Sequence, residues 1–447
     1  MMQKVILSAL ILCFPILVAA QSQVITIEDA IEIALENNYQ LKQAENNLSI
    51  SELQELSAKA DFFPSLNANV NRGLNIGRRF DTETTGQFVD VTTNNLSASL
   101  SSNIDIFNGF ANINNLRRSR EITASREELL QRVRENVIFS TASSYLDYLL
   151  SFQLLEIAEE NLQTSQSQLE QIEAQVEVGS RPMVDLLNQE SLVANNELDL
   201  VNRENEVDLA RLSLIRILQI DPLGEYEFVI PEIAQGSAVP INYDLGELVG
   251  AALENRADLR SEQRAILAEE YQVKIAKAQY YPTISGSASI RSNYSDLSML
   301  SYTDQFFDQN VARSFGISLS IPIFNRLNAR TNVEIQKINL KNAELGLENT
   351  RLQVIQEVNQ AYRDYLARVK EVESTQRALD AAERAYETEL QRYEVGASTL
   401  IELSLANNAY VQAQASQAQA TYRFIFQEKL LDYFIGRMDE NISLESY

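Results

Sequence analysis

The sequence lacks the side chains on which much enzyme chemistry depends. It has no histidine, and its one cysteine is Cys13, in an N-terminal segment that the sequence indicates is removed. This excludes from the mature chain catalytic triads that need imidazole, His-ligated zinc and thiolate clusters. With 62 acidic against 37 basic residues, the chain has a formal charge of −25, which argues against nucleic acid as a partner. We expect no cofactor and no enzymatic activity.

Glycine and proline are also scarce, at 14 and 8 residues in a chain of 447. These residues interrupt helices and strands, so their scarcity predicts very long elements. Hydrophobic residues make up 45% of the chain, enough to build a core despite the high charge. The sequence therefore describes a folded protein with few interruptions.

Residues 1–20 have the pattern of a secretory signal peptide. Lys4 supplies the charge, Val5 to Val18 the apolar stretch, and Val18-Ala19-Ala20 the small residues before the cut. An uncleaved anchor is the alternative, but the stretch is short and contains Ser8 and Pro15. Later segments lack the roughly 20 apolar residues of a membrane helix. Any membrane-spanning part must then consist of strands.

Internal repetition is the strongest long-range signal. Short motifs recur at an offset of 217 or 218 residues: Ala34-Leu35-Glu36-Asn37 as Ala252-Leu253-Glu254-Asn255, Phe63-Pro64-Ser65 as Tyr281-Pro282-Thr283, Ile106-Phe107-Asn108 as Ile323-Phe324-Asn325, and Glu177-Val178-Gly179 as Glu394-Val395-Gly396. The sequence predicts a first repeat over 21–220, a proline-containing linker over 221–242, a second repeat over 243–436 and a tail over 437–447.

Each repeat is predicted to have the same order of elements. A helix (27–60 or 245–279) ends before Pro64 or Pro282 and is followed by two strands (65–77 and 96–107, or 283–294 and 314–324). A helix of exceptional length then runs over 111–178 or 329–395, about 100 Å at 1.5 Å per residue, and a second helix returns after Gly179 or Gly396.

The long helices carry a heptad pattern, which predicts a left-handed coiled coil. In the second repeat the seam comprises Ile355, Val358, Tyr362, Tyr365, Val369, Val372, Gln376, Leu379, Glu383, Tyr386, Leu390 and Tyr393. In the first it comprises Ile138, Thr141, Tyr145, Tyr148, Phe152, Leu155, Glu159, Leu162, Gln166, Leu169, Glu173 and Val176.

The predicted strands alternate apolar and polar residues over lengths typical of transmembrane strands. A soluble sheet packed on helices would alternate in the same way. The flanking aromatic residues favour the membrane, because they cluster at one end of the hairpins as an interfacial girdle does: Phe62, Phe63, Phe107, Phe110, Tyr280, Tyr281 and Phe324. Phe80, Phe88, Tyr294, Tyr302, Phe306 and Phe307 are candidates for the opposite girdle.

Four strands cannot close a barrel, and an open edge is not tolerated in lipid. Several chains must then share one barrel. Two chains would give eight strands and a side-chain-filled lumen, and three would give twelve strands and room for a channel.

At these residues the chain resembles the TolC-type outer-membrane efflux factors. The resemblance rests on three kinds of segment. These are the first helical segment of each repeat (Glu28 to Asn38 and Arg256 to Arg260), the junctions between helix and strand (Phe63-Pro64-Ser65-Leu66 and Tyr281-Pro282-Thr283-Ile284), and the end of the last predicted strand (Ile321 to Asn325). It implies a mainly α-helical homotrimer with a small transmembrane β part, in which a 12-stranded barrel shared by three chains in outer-membrane lipid continues into a long α-helical coiled-coil barrel in the periplasm. Its partners would be a periplasmic adaptor (membrane fusion) protein and an inner-membrane pump of RND or ABC type, for small-molecule efflux or type I secretion.

The resemblance also implies a gate at the hairpin turns, which form the periplasmic tip. Gly179 and Gly396 match the turn glycines, and Asp185, Glu402 and Tyr393 match gating positions. The family's gating arginine is replaced by Ser398, whereas Arg181 holds that place in the first repeat, so either Arg181 supplies the charge or the latch is weaker. Ordinary helix-end roles remain the alternative for the acids and glycines.

Two other functions would fit parts of the pattern. A secreted coiled-coil adaptor or adhesin shares the heptads but needs no girdled strands. A carboxylate-based hydrolase needs paired acids at a concave site, and no such pattern is evident.

Overall fold

The structure is a computed structural model that describes residues 23–80, 86–230 and 241–438. The predicted signal peptide lies outside the described residues, as does the predicted tail beyond 438. The described chain is mainly helical. Within these ranges, none of the helices combines the length and apolar content that a membrane crossing requires.

Both halves share the order helix, helix, strand, strand, long helix, helix; the first half adds two short strands and the second a π-helix. The first half contains β1 (Gln23–Ile25), α1 (Ile27–Asn37), α2 (Tyr39–Ala60), β2 (Ser65–Phe80), β3 (Phe88–Asn108), α3 (Ala111–Glu177), α4 (Met183–Leu218) and β4 (Tyr226–Phe228). The second contains α5 (Leu245–Asn255), α6 (Ala257–Ala278), β5 (Thr283–Ser295), a π-helix (Asp304–Gln309), β6 (Ala312–Ser320), α7 (Asn328–Glu394) and α8 (Leu400–Phe434).

The opening helix of each half is broken, so the predicted uninterrupted helices over 27–60 and 245–279 are wrong. Asn38 has an extended ψ of 121°, and its side chain accepts hydrogen bonds from the backbone N–H groups of Gln40 (2.8 Å) and Leu41 (3.2 Å). Asn38 thus caps a new helix instead of continuing the old one. Arg256, with a ψ of 122°, makes the corresponding break between α5 and α6.

The two longest helices, α3 and α7, contain 67 residues each, and each is followed by an antiparallel partner of about half that length. At 1.5 Å per residue they extend about 100 Å. Each begins next to a strand and ends at a turn, so the sheet and the turns lie at opposite ends of the long helices.

The predicted seam agrees with the structure in α7 but fails in part of α3. In α7 every predicted seam residue except Glu383 is at least partly buried. In the half of α3 that leads to the turn at Gly179, Glu159, Gln166 and Glu173 are exposed. The neighbouring Ala158, Ser165 and Ile172 are buried instead. Buried residues at 154, 158 and 162 insert a four-residue step, a stutter that rotates the packed face.

The four predicted strands of the hairpins form one antiparallel sheet in the order β2-β3-β5-β6. Its register places apolar residues on one face, among them Leu66, Ala68, Val70, Leu96, Ala98, Leu100, Ala288, Ile290, Phe315 and Ile317. The other face carries Asn, Ser and Gly, among them Asn67, Asn69, Asn71, Ser97, Ser99, Ser101, Ser287, Ser289, Ser314 and Gly316. Apolar side chains of the first face are exposed in the single chain.

The last strand is shorter than predicted. Strand β6 ends at Ser320, so the predicted extension to Phe324 is wrong. Pro322 has no N–H to donate to a sheet, and the chain leaves the strand two residues before it.

Between the strands and the turns, a core at mid-length joins the two halves. Strands β1 and β4 pair in parallel and pack on α3, where the Tyr145 hydroxyl lies within hydrogen-bond distance of the carbonyls of Ile25 (3.1 Å) and Val229 (2.7 Å). The predicted linker over 221–242 is therefore not wholly a connector: Phe228 is buried in this core. Residues 231–240 of that segment lie outside the described ranges.

Candidate functional site

The two helical turns lie side by side at the end of the molecule opposite the sheet. Ile172 of α3 packs with Tyr393 of α7 and with Leu400 and Leu403 of α8 in a small apolar cluster of its own. Because this cluster joins α3 to α7 and α8, the two hairpins meet within one chain. The tip site defined here comprises the residues from these turns to the first turn of the returning helices.

Each turn closes with a glycine in the left-handed region. Gly179 and Gly396 both have a φ of 76°, and an added Cβ would meet no atom within 4 Å at either position. The next residues, Ser180 and Ala397, donate backbone N–H bonds of 2.8 Å to Gln175 and Arg392. Glycine is thus favoured at both turns by backbone conformation, not by close packing.

Arg181 connects the two hairpins. Its guanidinium carbon lies 4.2 Å from the centre of the Tyr393 ring, which belongs to the other hairpin. Its Nε donates to Gln175 Oε1 at 2.5 Å, and its Nη1 lies 3.7 Å from Asp185 Oδ2. The structure therefore brings together Arg181, Asp185 and Tyr393 of the predicted gate.

Tyr393 is buried at the tip, with 8% of its surface exposed. In the described part of the chain its hydroxyl has no hydrogen-bond partner. Burial raises the pKa of this phenol, and the charge of Arg181 opposes that rise. A buried hydroxyl without a partner is unusual in a folded protein.

Glu402 and Ser398 are organised differently. Thr399 and Glu402 form a capping box at the start of α8, in which the Thr399 N–H donates to Glu402 Oε2 at 2.9 Å. Ser398 donates to Glu402 Oε2 at 3.0 Å and also to Glu389. The backbone hydrogen bond from Thr399, aided by these hydroxyls, holds the pKa of Glu402 below its ordinary value. Glu402 remains exposed on the tip surface.

A glutamine and an arginine that the sequence motifs did not single out complete the two turns. Gln175 and Arg392 occupy corresponding positions at the 217-residue offset, as do Arg181 and Ser398. Arg392 Nη1 donates to Glu389 at 2.8 Å and Nη2 to the Ala397 carbonyl at 3.2 Å. Each turn thus has one arginine: Arg181 follows Gly179 in the first turn, and Arg392 precedes Gly396 in the second. Aligning the repeats position by position would have revealed this exchange.

The predicted aromatic residues gather at the helix-proximal end of the sheet. Phe62 and Phe63 precede β2, Tyr280 and Tyr281 precede β5, and the rings of Phe107 and Phe110 lie 5.1 Å apart at the end of β3. Phe324 lies beyond β6 in the same region and is exposed. The opposite end also carries aromatic pairs, with Phe80 and Phe88 rings 5.1 Å apart.

Comparison with known proteins identifies the family that this arrangement matches. The sequence profile described as "Outer membrane efflux protein" matches residues 30–218 and again residues 248–437. The described part of the chain contains no group of His, Cys, Asp and Glu residues placed to hold a metal ion.

Individual relatives are distant but cover most of the chain. The "Cation efflux system protein CusC" of Escherichia coli O157:H7 is 24% identical over 84% of this chain and 78% of its own length. The "Outer membrane efflux protein BepC" of Brucella suis is 22% identical over 98% of this chain and 91% of its own. The crystal structure of the outer membrane protein VceC from Vibrio cholerae superposes with a TM-score of 0.75 at 19% identity, covering 92% of this chain and 96% of that one.

Proposed function

The chain belongs to the outer membrane efflux protein family, and from this membership we propose that three copies form a channel that serves as the exit duct of a tripartite efflux pump or type I secretion system. In this proposal the chain resides in the outer membrane, with most of its length in the periplasm. The family comprises channels, not enzymes. The profile match does not support a secreted adaptor or adhesin.

The two faces of the sheet support a shared barrel. Strands β2 and β6 are the outer strands of the four-stranded sheet, so each chain offers two edges for pairing. Three chains would join twelve strands, with the apolar face toward lipid and the Asn, Ser and Gly face toward a water-filled lumen. The aromatic residues Phe62, Phe63, Phe107, Phe110, Tyr280, Tyr281 and Phe324 would form the girdle on the periplasmic side.

The helices would continue this lumen across the periplasm. Twelve helices from three chains would enclose a tunnel, and the tip site would point toward the inner membrane. The turns with Gly179, Gly396 and Ser398 are the proposed docking region for a periplasmic adaptor, which would in turn connect to a pump of RND or ABC type.

The tip site is the proposed gate. Arg181, Asp185 and Tyr393 would hold the closed state by a contact between the two hairpins of each chain, and Glu402 would contribute to a ring of carboxylates. The partnerless hydroxyl of Tyr393 would find its partner on a neighbouring protomer. Adaptor binding would separate these contacts and widen the passage.

The cargo is proposed from the relatives. CusC and BepC carry efflux in their names, and CusC is described as part of a cation efflux system. We therefore favour small-molecule efflux for this chain over protein secretion.

The observation that carries the proposal is a sheet with one apolar face and two unpaired edges, and cysteine cross-linking tests it. Apart from Cys13 in the predicted signal peptide, the chain has no cysteine. Asn67→Cys, Asn69→Cys or Asn71→Cys in β2 is combined with Ser314→Cys or Ser318→Cys in β6. All five positions lie on the polar face, and the combinations sample several antiparallel registers. Where the register brings the two cysteines of neighbouring chains opposite each other, oxidation should give covalent dimers and trimers on a non-reducing gel.

The matched control pairs opposite faces of the sheet. Asn69→Cys with Phe315→Cys should stay monomeric under the same oxidation, because Phe315 lies on the apolar face. A trimer by mass in detergent, together with pore activity in planar bilayers, would complete the case. A water-soluble monomer that forms no cross-link in any combination would refute it.

A further inference from the structure

The segment between β5 and β6, residues 296–311, is folded and is named here the outer loop. It contains the π-helix Asp304–Gln309. Gln305 is 2% exposed, and its side-chain amide donates to the carbonyls of Ser295 (3.1 Å) and Leu300 (2.9 Å), while its Oε1 accepts from the Ser295 N–H (3.1 Å). One buried glutamine therefore fixes the loop to the end of β5.

The outer loop folds back onto a specific face of the sheet. The Ser292 hydroxyl donates to the Phe306 carbonyl at 2.5 Å, and the Tyr294 ring lies 5.2 Å from the Tyr302 ring. Ser292 and Tyr294 pair with Ala98 and Leu96, on the same face as Ile290. Since side chains alternate along a strand, these contacts place the loop on the apolar face and not on the Asn, Ser and Gly face.

The surface that the outer loop presents is apolar at its tip. Met299 is fully exposed and 69% of Phe307 is exposed, with Leu297 and Leu300 also accessible. Behind them, the Tyr302 and Phe306 rings stack with their centres 5.3 Å apart, and Phe307 packs edge-on against Phe306 at 5.2 Å. These ring contacts hold Phe307 in place on the loop.

We propose that the outer loop is a membrane anchor that inserts Met299 and Phe307 among the lipid acyl chains at the outer edge of the bilayer. This inference rests on the proposed function, which places the apolar sheet face in lipid, and the loop continues that face. The acidic residues Asp296, Asp304 and Asp308 limit the depth, because a charge in the hydrocarbon core is costly, so the loop lies at the interface. This position leaves the loop beside the pore mouth instead of across it.

The chain contains no tryptophan, so single tryptophans report depth without background. Met299→Trp and Phe307→Trp are reconstituted in phosphatidylcholine vesicles whose acyl chains are brominated either near the headgroups or near the bilayer centre. We expect a blue-shifted emission that loses intensity most strongly with the shallow bromine label and that aqueous iodide quenches little. Met299→Trp removes no packing in the chain, because the side chain is fully exposed.

Two adjacent residues of β3 provide matched controls. Leu100→Trp lies on the apolar face and should be quenched by brominated lipid, whereas Ser99→Trp lies on the polar face and should be quenched by iodide instead. If Leu100→Trp responds and both loop variants are quenched by iodide alone, the loop faces water and the inference is wrong.

A blue-shifted loop tryptophan that neither quencher reaches would mean burial against protein, which also overturns the inference. If Leu100→Trp itself does not respond to brominated lipid, the proposed membrane position of the sheet fails, and with it the proposed function. The Leu100→Trp variant thus distinguishes failure of the loop inference from failure of the proposed function.

Discussion

Arg181 and Tyr393 form the contact at the tip that links the two hairpins of one chain. The position that corresponds to Arg181 in the second half is Ser398, which bonds to nearby acids of its own hairpin instead. Under the proposed gate, Arg181 would supply from the first hairpin the charge that Ser398 lacks in the second. An arginine over an aromatic face and beside a carboxylate stabilises the packing of the two hairpins through a cation–π contact and an ion pair.

If Asp185 and Tyr393 belong to the gate, substituting either residue should change the conductance of the channel. Asp185→Ala removes the carboxylate that positions Arg181 over the Tyr393 ring, in a partly exposed ion pair worth about 0.5–1 kcal/mol, so a closed-to-open equilibrium should shift by at most about two- to fivefold. We expect single-channel recordings of the reconstituted variant to show a higher conductance or open probability by that factor. Tyr393→Phe keeps the ring beneath Arg181 and should give a smaller increase, which reports the hydroxyl alone.

Arg203→Ala is the matched control for this prediction. Arg203 pairs with Glu206 at 2.8 Å on α4, away from the turns, so its loss should leave conductance unchanged. Unchanged conductance in both Asp185→Ala and Tyr393→Phe would remove these residues from the gate.

Among the elements, the break between α5 and α6 depends on a buried ion network. Arg256 is 5% exposed and donates to Asp258 (Nη2 to Oδ2, 2.6 Å) and to Glu357 of α7 (Nη1 to Oε2, 2.6 Å). This arginine ties the start of α6 to a long helix. Its counterpart in the first half is Asn38, which makes the break with a local cap instead.

We expect Arg256→Ala to lower the free energy of unfolding by about 2–3 kcal/mol. The loss leaves Glu357 without this ion pair and Asp258 with only the more distant Arg132, at 3.9 Å. Both carboxylates are about a quarter exposed, so the loss is smaller than for a fully buried pair. Denaturation in detergent, followed by circular dichroism, measures it. Arg264→Ala removes an exposed pair with Glu121 and should cost less than about 1 kcal/mol. Equal losses in the two variants would contradict a special role for Arg256.

The stabilisation that Arg256 and Asp258 provide should depend on pH. Burial acts to raise the pKa of Asp258, but hydrogen bonds from Arg256 hold that pKa below its ordinary value of 3.8. A carboxyl group whose pKa is lower in the folded state stabilises the fold above its unfolded pKa. This contribution should fall away as the pH drops through the folded-state pKa, below 3.8, and the Arg256→Ala variant should lack that part of the pH dependence.

For the whole molecule, the formal charge of −25 per chain predicts cation selectivity. Carboxylate rings at a constriction raise the local concentration of cations. The reversal potential of the reconstituted channel under a salt gradient should therefore lie toward the cation equilibrium potential. Glu402→Gln should reduce this preference, whereas Glu159→Gln, exposed on α3 farther from the turn, is the control with the same loss of charge. A reversal potential on the anion side would contradict a lumen lined by these acids.

The pH dependence of selectivity follows from the capping box. The Thr399 N–H holds the pKa of Glu402 below its ordinary value, so this carboxylate keeps its charge to lower pH than an ordinary glutamate does. The difference in reversal potential between the wild type and Glu402→Gln should therefore be lost at a lower pH than an ordinary glutamate would give.

The sequence by itself determined the features that repeat along the chain. Heptads, alternation in the strands, proline stops and the 217-residue offset are local patterns, because the side chains that set them lie within a few residues of each other or recur at a fixed distance. They predicted four strands, two very long helices and the turns at Gly179 and Gly396, all of which the structure contains.

Only the tertiary structure decided which of several compatible local choices prevails. The break at Arg256, the stutter that buries Ala158 instead of Glu159, the pairing of β4 with β1, and the placement of Arg181 over Tyr393 all depend on residues distant in sequence. The physical reason is that packing and buried charge pairs act between elements, and a helix face or a side chain is fixed only when its partner surface is present.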